Sequence, residues 1–324
     1  MKRDTWRSKG ETLMRVLVIG ATGAIGTRLV PQLVQSGHEV TGTSRSAEKA
    51  QRLHQLGAEG IVLDVLDAAA VRKAVTASRP DAIIYQATAL DELTDLKHFD
   101  RSFAQTNRLR TEGIDNVIAA ARAAGVKRLV AQSYASHRYA AEGGPVKTED
   151  DPLDSNPPAT VRESWAALVH LDQAVTAAGG IALRYGSFYP SEALEHAVRG
   201  HKFPVVGNGA GVWSHIHLDD AAAATVLALE HDGPAIYNIV DDEPAPTAVW
   251  LPEVAKILGA KPPMRVPRVL ARLLAGEAVV KMSTESRGAS NAKAKQELGW
   301  TLRYPSWRQG FAATNRQTSL KLAA

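Results

Sequence analysis

The stretch Arg15-Val16-Leu17-Val18-Ile19-Gly20-Ala21-Thr22-Gly23-Ala24-Ile25-Gly26 decides the fold. Four consecutive apolar residues, three of them β-branched, read as a strand buried on both faces, the form strands take in a parallel sheet. Glycines at 20, 23 and 26 then turn the chain into an amphipathic helix expected over 24–35. Each glycine meets a different demand: Gly20 permits the tight turn, Gly23 lets backbone approach a phosphate, and Gly26 lets the helix pack closely on the strand. The free N–H groups and dipole of such a helix start attract an anion. Strand, glycine-rich turn and helix in this order mark a dinucleotide-binding unit. Gly20, Thr22, Gly23, Ala24, Ile25 and Gly26 are therefore candidate cofactor contacts.

Outward from this unit, β-branched runs alternate with amphipathic stretches. Strands are expected at 15–19, 39–43, 60–63, 82–85, 128–132 and 181–184, and helices near 24–35, 47–56, 68–78, 101–124 and 160–178. This alternation predicts an α/β fold with a doubly wound parallel Rossmann sheet over 14–184 and a C-terminal stretch over 185–324 that is mainly a smaller substrate-binding lobe. Residues 1–13 read as a disordered tail. Pro31 falls inside the first helix, where it removes a hydrogen bond, so a kink is expected there. The segment 143–158 is rich in glycine, proline and acids and reads as a surface loop able to cover a cleft.

The residues after the second strand, Thr41-Gly42-Thr43-Ser44-Arg45-Ser46, contain no acid to bind the ribose hydroxyls of NAD. Arg45 offers a cation to a 2′-phosphate and a planar face to adenine, and Ser44 adds a hydroxyl, so NADP is expected in preference to NAD. Asp64 and Val65 after the third strand fall beside the adenine, and Ala87 and Thr88 after the fourth beside the second ribose.

Composition narrows the classes. The chain has 324 residues, 45% hydrophobic and 22% charged, which suits a folded globular protein. With no cysteine there are no disulfides, thiolate metal sites or cysteine nucleophiles, and a cytoplasmic location is the default expectation. A net charge of +4, spread along the chain, outlines no nucleic-acid face, and no apolar run is long enough to span a membrane. His215 and His217 lack a third candidate ligand, so no metal site is predicted.

Several further segments carry a resemblance: Asn107 to Val130, Leu183-Arg184-Tyr185-Gly186-Ser187-Phe188-Tyr189-Pro190, Val206-Gly207-Asn208-Gly209, Ser214-His215-Ile216-His217-Leu218-Asp219-Asp220, Tyr237-Asn238-Ile239 and Asn291 to Trp300. In this order, with the glycine turn, the chain resembles the extended short-chain dehydrogenase/reductase superfamily, in its NAD(P)-dependent epimerase/dehydratase group. The likeness runs from Met14 to about Phe311. It implies that Asn107 and Tyr185 join the cofactor contacts, and that the helices at 101–124 and 160–178 are where two copies would pair as a homodimer.

One departure matters more than these matches. Members of the family usually carry a Tyr-x-x-x-Lys pair for proton transfer on the helix after strand five. Here the corresponding positions hold Ser164 and Leu168. After strand five the chain reads Gln132-Ser133-Tyr134-Ala135-Ser136-His137-Arg138-Tyr139, which makes Tyr134, with Ser133 beside it, the candidate catalytic group. His137, Arg138 and Tyr139 read as loop-surface residues, and His170 as a helix-face residue.

Two functions remain open at this point. One is an NADP-dependent reductase or epimerase-like enzyme acting on a small polar, possibly sugar-like molecule. The other is a non-catalytic dinucleotide sensor that lost the proton shuttle. A phenol without a neighbouring lysine stays protonated, which favours reduction over alcohol oxidation or epimerisation.

Overall fold

The structure, a computed structural model, describes residues 13–90 and 97–323. Apart from Leu13, the expected N-terminal tail lies outside the described residues. The core is a seven-stranded parallel sheet built from β1 (Arg15–Ile19), β2 (Glu39–Ser44), β3 (Glu59–Val62), β4 (Ala82–Tyr85), β5 (Arg128–Tyr134), β6 (Ile181–Tyr185) and β7 (Ala235–Ile239). Its spatial order is β3-β2-β1-β4-β5-β6-β7. The order reverses between β1 and β4, and ligand crevices of open α/β sheets form at such a switch point.

Both faces of the sheet are covered. Helices α1 (Gly26–Gln35), α2 (Ala47–Arg52) and α3 (Ala68–Ser78) connect the first four strands, and α4 (Ile114–Ala123), α5 (Arg162–Ala177) and α6 (Leu218–Glu230) connect the rest. Leu29, Leu33, Ala221 and Ala228 of α1 and α6 pack on Val16, Val18, Ile84 and Leu183. On the other face Val71, Val75, Val117 and Leu171 pack on Leu17, Ile19, Ile83 and Ala131. Successive residues of β1 thus enter opposite cores, which is why its sequence is apolar without a break. Helix α1 continues unbroken through Pro31. Burial of Leu29, Val30 and Leu33 outweighs the lost bond, which costs about 3 kcal/mol.

The helix expected over 101–124 is divided. Ala104–Arg108 leads into one wide turn of π type, Leu109–Gly113, before α4 begins. Tyr85 accounts for the widening: its hydroxyl donates to the Leu109 carbonyl at 2.6 Å, and a Cβ on Gly113 would lie only 2.6 Å from that oxygen. A side chain inserted into the helical ladder opens it.

A division at residue 184 leaves out part of the sheet, because β7 and α6 lie beyond it and complete the Rossmann unit. The remaining C-terminal chain forms a lobe around Tyr189, Trp250, Leu251, Trp307 and Phe311. The loop over 143–158 is largely exposed yet anchored, since Val146–Lys147 pairs in parallel with Gly288–Ala289. Among the described residues no helix is long and apolar enough to cross a membrane.

Candidate functional site

A groove of about 370 Å³ opens at the β1/β4 switch point. It is lined by Gly20, Thr22, Gly23, Ala24, Ile25, Gly26, Ser44, Arg45, Asp64, Val65, Ala87 and Thr88, joined by Lys49, Gln86, Leu109, Gln132 and Phe188. The glycines divide by role. A Cβ on Gly26 would lie 2.4 Å from the Ala21 carbonyl oxygen, and one on Gly20, whose φ is +84°, would lie 2.8 Å from the Gln86 backbone. Those two serve the fold. A Cβ on Gly23 would meet only the Gly20 oxygen, at 3.4 Å, so Gly23 keeps a cradle open rather than a packing contact. No carbonyl among the described residues accepts from the Thr22, Ala24 or Ile25 amides. Open backbone donors beside a bare glycine at a helix start fit a dinucleotide pyrophosphate.

At the adenosine end, Ser44 is held by Thr22 and by the Ser46 amide, each at 3.2 Å. Arg45 is exposed and borders the groove, and no described carboxylate forms an ion pair with it, while Glu48 pairs with Arg52. Lys49 adds a second cation, which the β2 motif alone did not indicate. Ser46 caps α2 by accepting from the Lys49 amide.

Two candidate contacts fall elsewhere. Asn107 donates to the Ser164 hydroxyl at 3.0 Å, and Tyr185, 1% exposed, is bonded to Thr225 at 2.6 Å inside the core between sheet and α6. Neither lines the groove.

The proton-transfer end departs from the family pattern in structure as in sequence. Ser164 is buried and donates to Asp100 Oδ1 at 2.7 Å, and Asp100 also accepts the Glu163 and Ser164 amides, closing the start of α5. Leu168 is core. The two positions therefore hold a hydroxyl engaged by Asp100 and Asn107 and a packing residue, neither suited to moving a proton.

Tyr134 ends β5, two residues beyond the groove-lining Gln132, and its hydroxyl lies 3.3 Å from Ser187 Oγ. Burial pushes its pKa above the ordinary value, partly opposed by the hydroxyls of Ser187 and Ser136 and by Arg110. It is thus a protonated phenol. Ser133 points to the opposite face of the strand, where it accepts from Arg138 at 3.2 Å and is 2% exposed, so it is withdrawn from the candidate donors.

The segment expected at the loop surface is also largely internal. Arg138 is fully buried and Tyr139 nearly so. Arg138 and Arg184 both pair with Asp172, at 3.0 and 2.9 Å, and this shared carboxylate draws the segment inward. His137, at φ +65°, bonds Ser286 at 2.7 Å, and burial pushes its pKa down to about 3, so the ring is neutral. His170 is a surface residue paired with Asp115 at 2.9 Å. His215 sits in an aromatic cluster, edge-on to Trp250, and its pKa is held down to about 3 by burial and by His137.

Beyond His137 lies a second cavity of about 540 Å³, bounded by the loop over 140–158, Trp165 and residues 278–286. The Tyr134 and His137 rings are 6.2 Å apart, so the phenol lies next to a residue that lines this cavity.

Groove, switch point and altered proton-transfer positions define a dinucleotide-dependent enzyme of the short-chain dehydrogenase type. The chain belongs to the NAD dependent epimerase/dehydratase family, whose model matches residues 16–240. A 3-diazoavenalumate denitrifying reductase from Streptomyces sp. is 43% identical over 92% of this chain and 99% of its own. A 4-hydroxy-2-methyl-3-oxo-4-farnesyl-3,4-dihydroquinoline-1-oxide ketoreductase from Stigmatella aurantiaca is 28% identical over 76% of this chain and 74% of its own. In fold, the chain matches the Thermus thermophilus UDP-glucose 4-epimerase solved with NAD, with a TM-score of 0.70 and 23% identity over 94% of this chain and 99% of that one. The enzyme reading therefore holds over the sensor reading: the chain is an NAD(P)-dependent enzyme of the oxidoreductase/epimerase kind.

Proposed function

We propose that this enzyme is an NADPH-dependent reductase of a small polar substrate carrying a carbonyl or diazo group, seated in the cavity beyond His137. One observation carries the reading: the buried, protonated phenol of Tyr134 lies two residues beyond the groove-lining Gln132, with neither lysine nor base at the Ser164 and Leu168 positions. Such a group gives a proton readily and takes one back poorly. Bound in the groove, the reduced dinucleotide supplies the hydride. A carbonyl takes up one hydride at carbon and one proton at oxygen. A diazo carbon takes up the proton as one C–H bond and the hydride as a second, the C–N bond breaking with release of N2. In either case Tyr134 delivers the proton, Ser187 holds the phenol in place, and the loop with Trp165 keeps bulk water from the reacting centre. The 43% identical denitrifying reductase supports the diazo acid, and Arg45 with Lys49 supports the 2′-phosphorylated dinucleotide.

The test is to mix the enzyme with NADPH or NADH and a panel of keto acids, diazo acids and nucleotide sugars. We expect net NADPH consumption with a keto or diazo acid, and N2 release with the latter. Interconversion of sugar epimers without net dinucleotide consumption would overturn the reading.

A further inference from the structure

Three guanidinium groups gather near Tyr134 around a single carboxylate. Arg138 and Arg184 share Asp172. Arg110 is the third. It is only 7% exposed, and no described residue accepts a hydrogen bond or ion pair from it. Burial pushes its pKa down to about 10, with Arg138 adding to the effect, so it remains charged near neutrality. None of its nitrogens is among the fully buried unpartnered atoms, so a largely buried guanidinium with five donors and no protein acceptor opens onto space where an anion can meet it.

The fold places this group with care. Arg110 belongs to the wide turn Leu109–Gly113, which Tyr85 holds open and whose Leu109 lines the dinucleotide groove. The neighbouring α5 runs parallel to this segment: Asn107 bonds Ser164 near the top and Asp115 bonds His170 further down. Arg110 comes between those ties, on the stretch of chain that faces α5 between Ser164 and His170. Tyr134 is among the groups within its electrostatic reach. The phosphate-binding features, Gly23 and Arg45, belong to the far end of the groove, and the ribose hydroxyls are neutral.

We propose that Arg110 is the anion receptor of the substrate site, pairing with a carboxylate or phenolate oxygen close to the reducible group and so holding that group against Tyr134. The word substrate rests on the reductase reading; the anion site itself does not. The 43% identical relative acts, by its name, on an organic anion.

The experiment uses the full chain saturated with NADP+. Benzoate, benzamide and inorganic phosphate are titrated calorimetrically at fixed ionic strength into wild type, Arg110→Met and Arg110→Lys. Thermal midpoints without organic ligand and NADP+ affinities are measured alongside. We expect benzoate to bind wild type at least about tenfold more tightly than benzamide or phosphate. Arg110→Met should lose that preference and Arg110→Lys should keep part of it, with NADP+ affinity unchanged in both. The thermal midpoint of Arg110→Met should equal or exceed that of wild type, because an uncompensated buried charge is removed. A lowered midpoint would make Arg110 a structural cation, and lost NADP+ affinity would assign it to the cofactor. Equal benzoate binding with and without the guanidinium, no benzoate binding by wild type, or phosphate bound as tightly as benzoate would each overturn the proposal. None of these readouts depends on turnover, so a failed reductase assay and a failed anion site are separable.

Discussion

At its phosphate end the groove is made of backbone, and at its proton end it is made of side chains. Gly20, Gly23 and Gly26 shape one continuous turn of seven residues, and what they offer a ligand is bare N–H groups and space. Tyr134, Ser187 and Arg110 come from a strand end, the chain just after β6 and a widened helical turn, and only the sheet brings them together. A backbone site can be kept by preserving a local pattern. A side-chain site can be rebuilt from different elements while the fold stays the same. The family pattern at the glycine turn is intact, whereas at Ser164 and Leu168 it has become a buried hydrogen-bond link to Asp100 and a core contact.

That contrast is sharpest in the glycines themselves. Gly26→Ala, which drives a Cβ to 2.4 Å from the Ala21 carbonyl oxygen, should destabilise the protein by about 3 kcal/mol or prevent folding. Gly23→Val should fold with a near-normal thermal midpoint and lose dinucleotide affinity by about a hundredfold or more. Melting curves and cofactor titrations on both variants would break the division of roles if Gly23→Val bound normally.

A smaller effect is expected at the adenosine end. Arg45→Ala should weaken NADPH by about tenfold, the loss of one charge-assisted contact, and leave NADH nearly unchanged. A wild type that prefers NADH would remove the reason for the prediction.

The lobe that closes the proton end should show its packing through pH. Burial holds the pKa of His215 down to about 3 against an ordinary 6.5. The unfolded chain therefore takes up a proton between those values and the folded chain does not, so His215 is neutral in stability above about pH 6.5 and destabilising as pH falls toward 3. His215→Phe should abolish this contribution. Denaturant melts between about pH 6 and 4 should show wild type losing up to about 1.4 kcal/mol per pH unit more than the variant. Parallel curves would mean that His215 is not buried neutral.

What was legible in the sequence follows the same line. Six of the seven strands and the whole groove lining from Gly20 to Thr88 lie in stretches where local pattern and final position coincide. Strand β7 was not assigned to the sheet, because half of Ile236-Tyr237-Asn238-Ile239 is polar and the chain leaves for the second lobe before returning. Asn107 and Tyr185 were misplaced because a residue type at a family position does not fix its direction, and each faces an internal partner. The burial of Arg138 needed Asp172, 34 residues away, to be seen. Arg110 was passed over since its interest lies in a widened turn that no helical periodicity shows. Tyr134 stands out in the sequence because it closes a strand whose Gln132 lines the groove.

The most direct test of the central claim, that the proton comes from Tyr134 and not from the α5 positions, is the single-turnover rate of NADPH oxidation. It should be measured with an accepted keto or diazo acid for wild type, Tyr134→Phe and Ser164→Ala. The account predicts a loss of about a hundredfold for Tyr134→Phe with cofactor affinity unchanged, and a rate within a few-fold of wild type for Ser164→Ala, whose cost should appear only as about 1 kcal/mol of stability from the lost hydroxyl bond to Asp100. Full activity in Tyr134→Phe, or a comparable loss in Ser164→Ala, would contradict it.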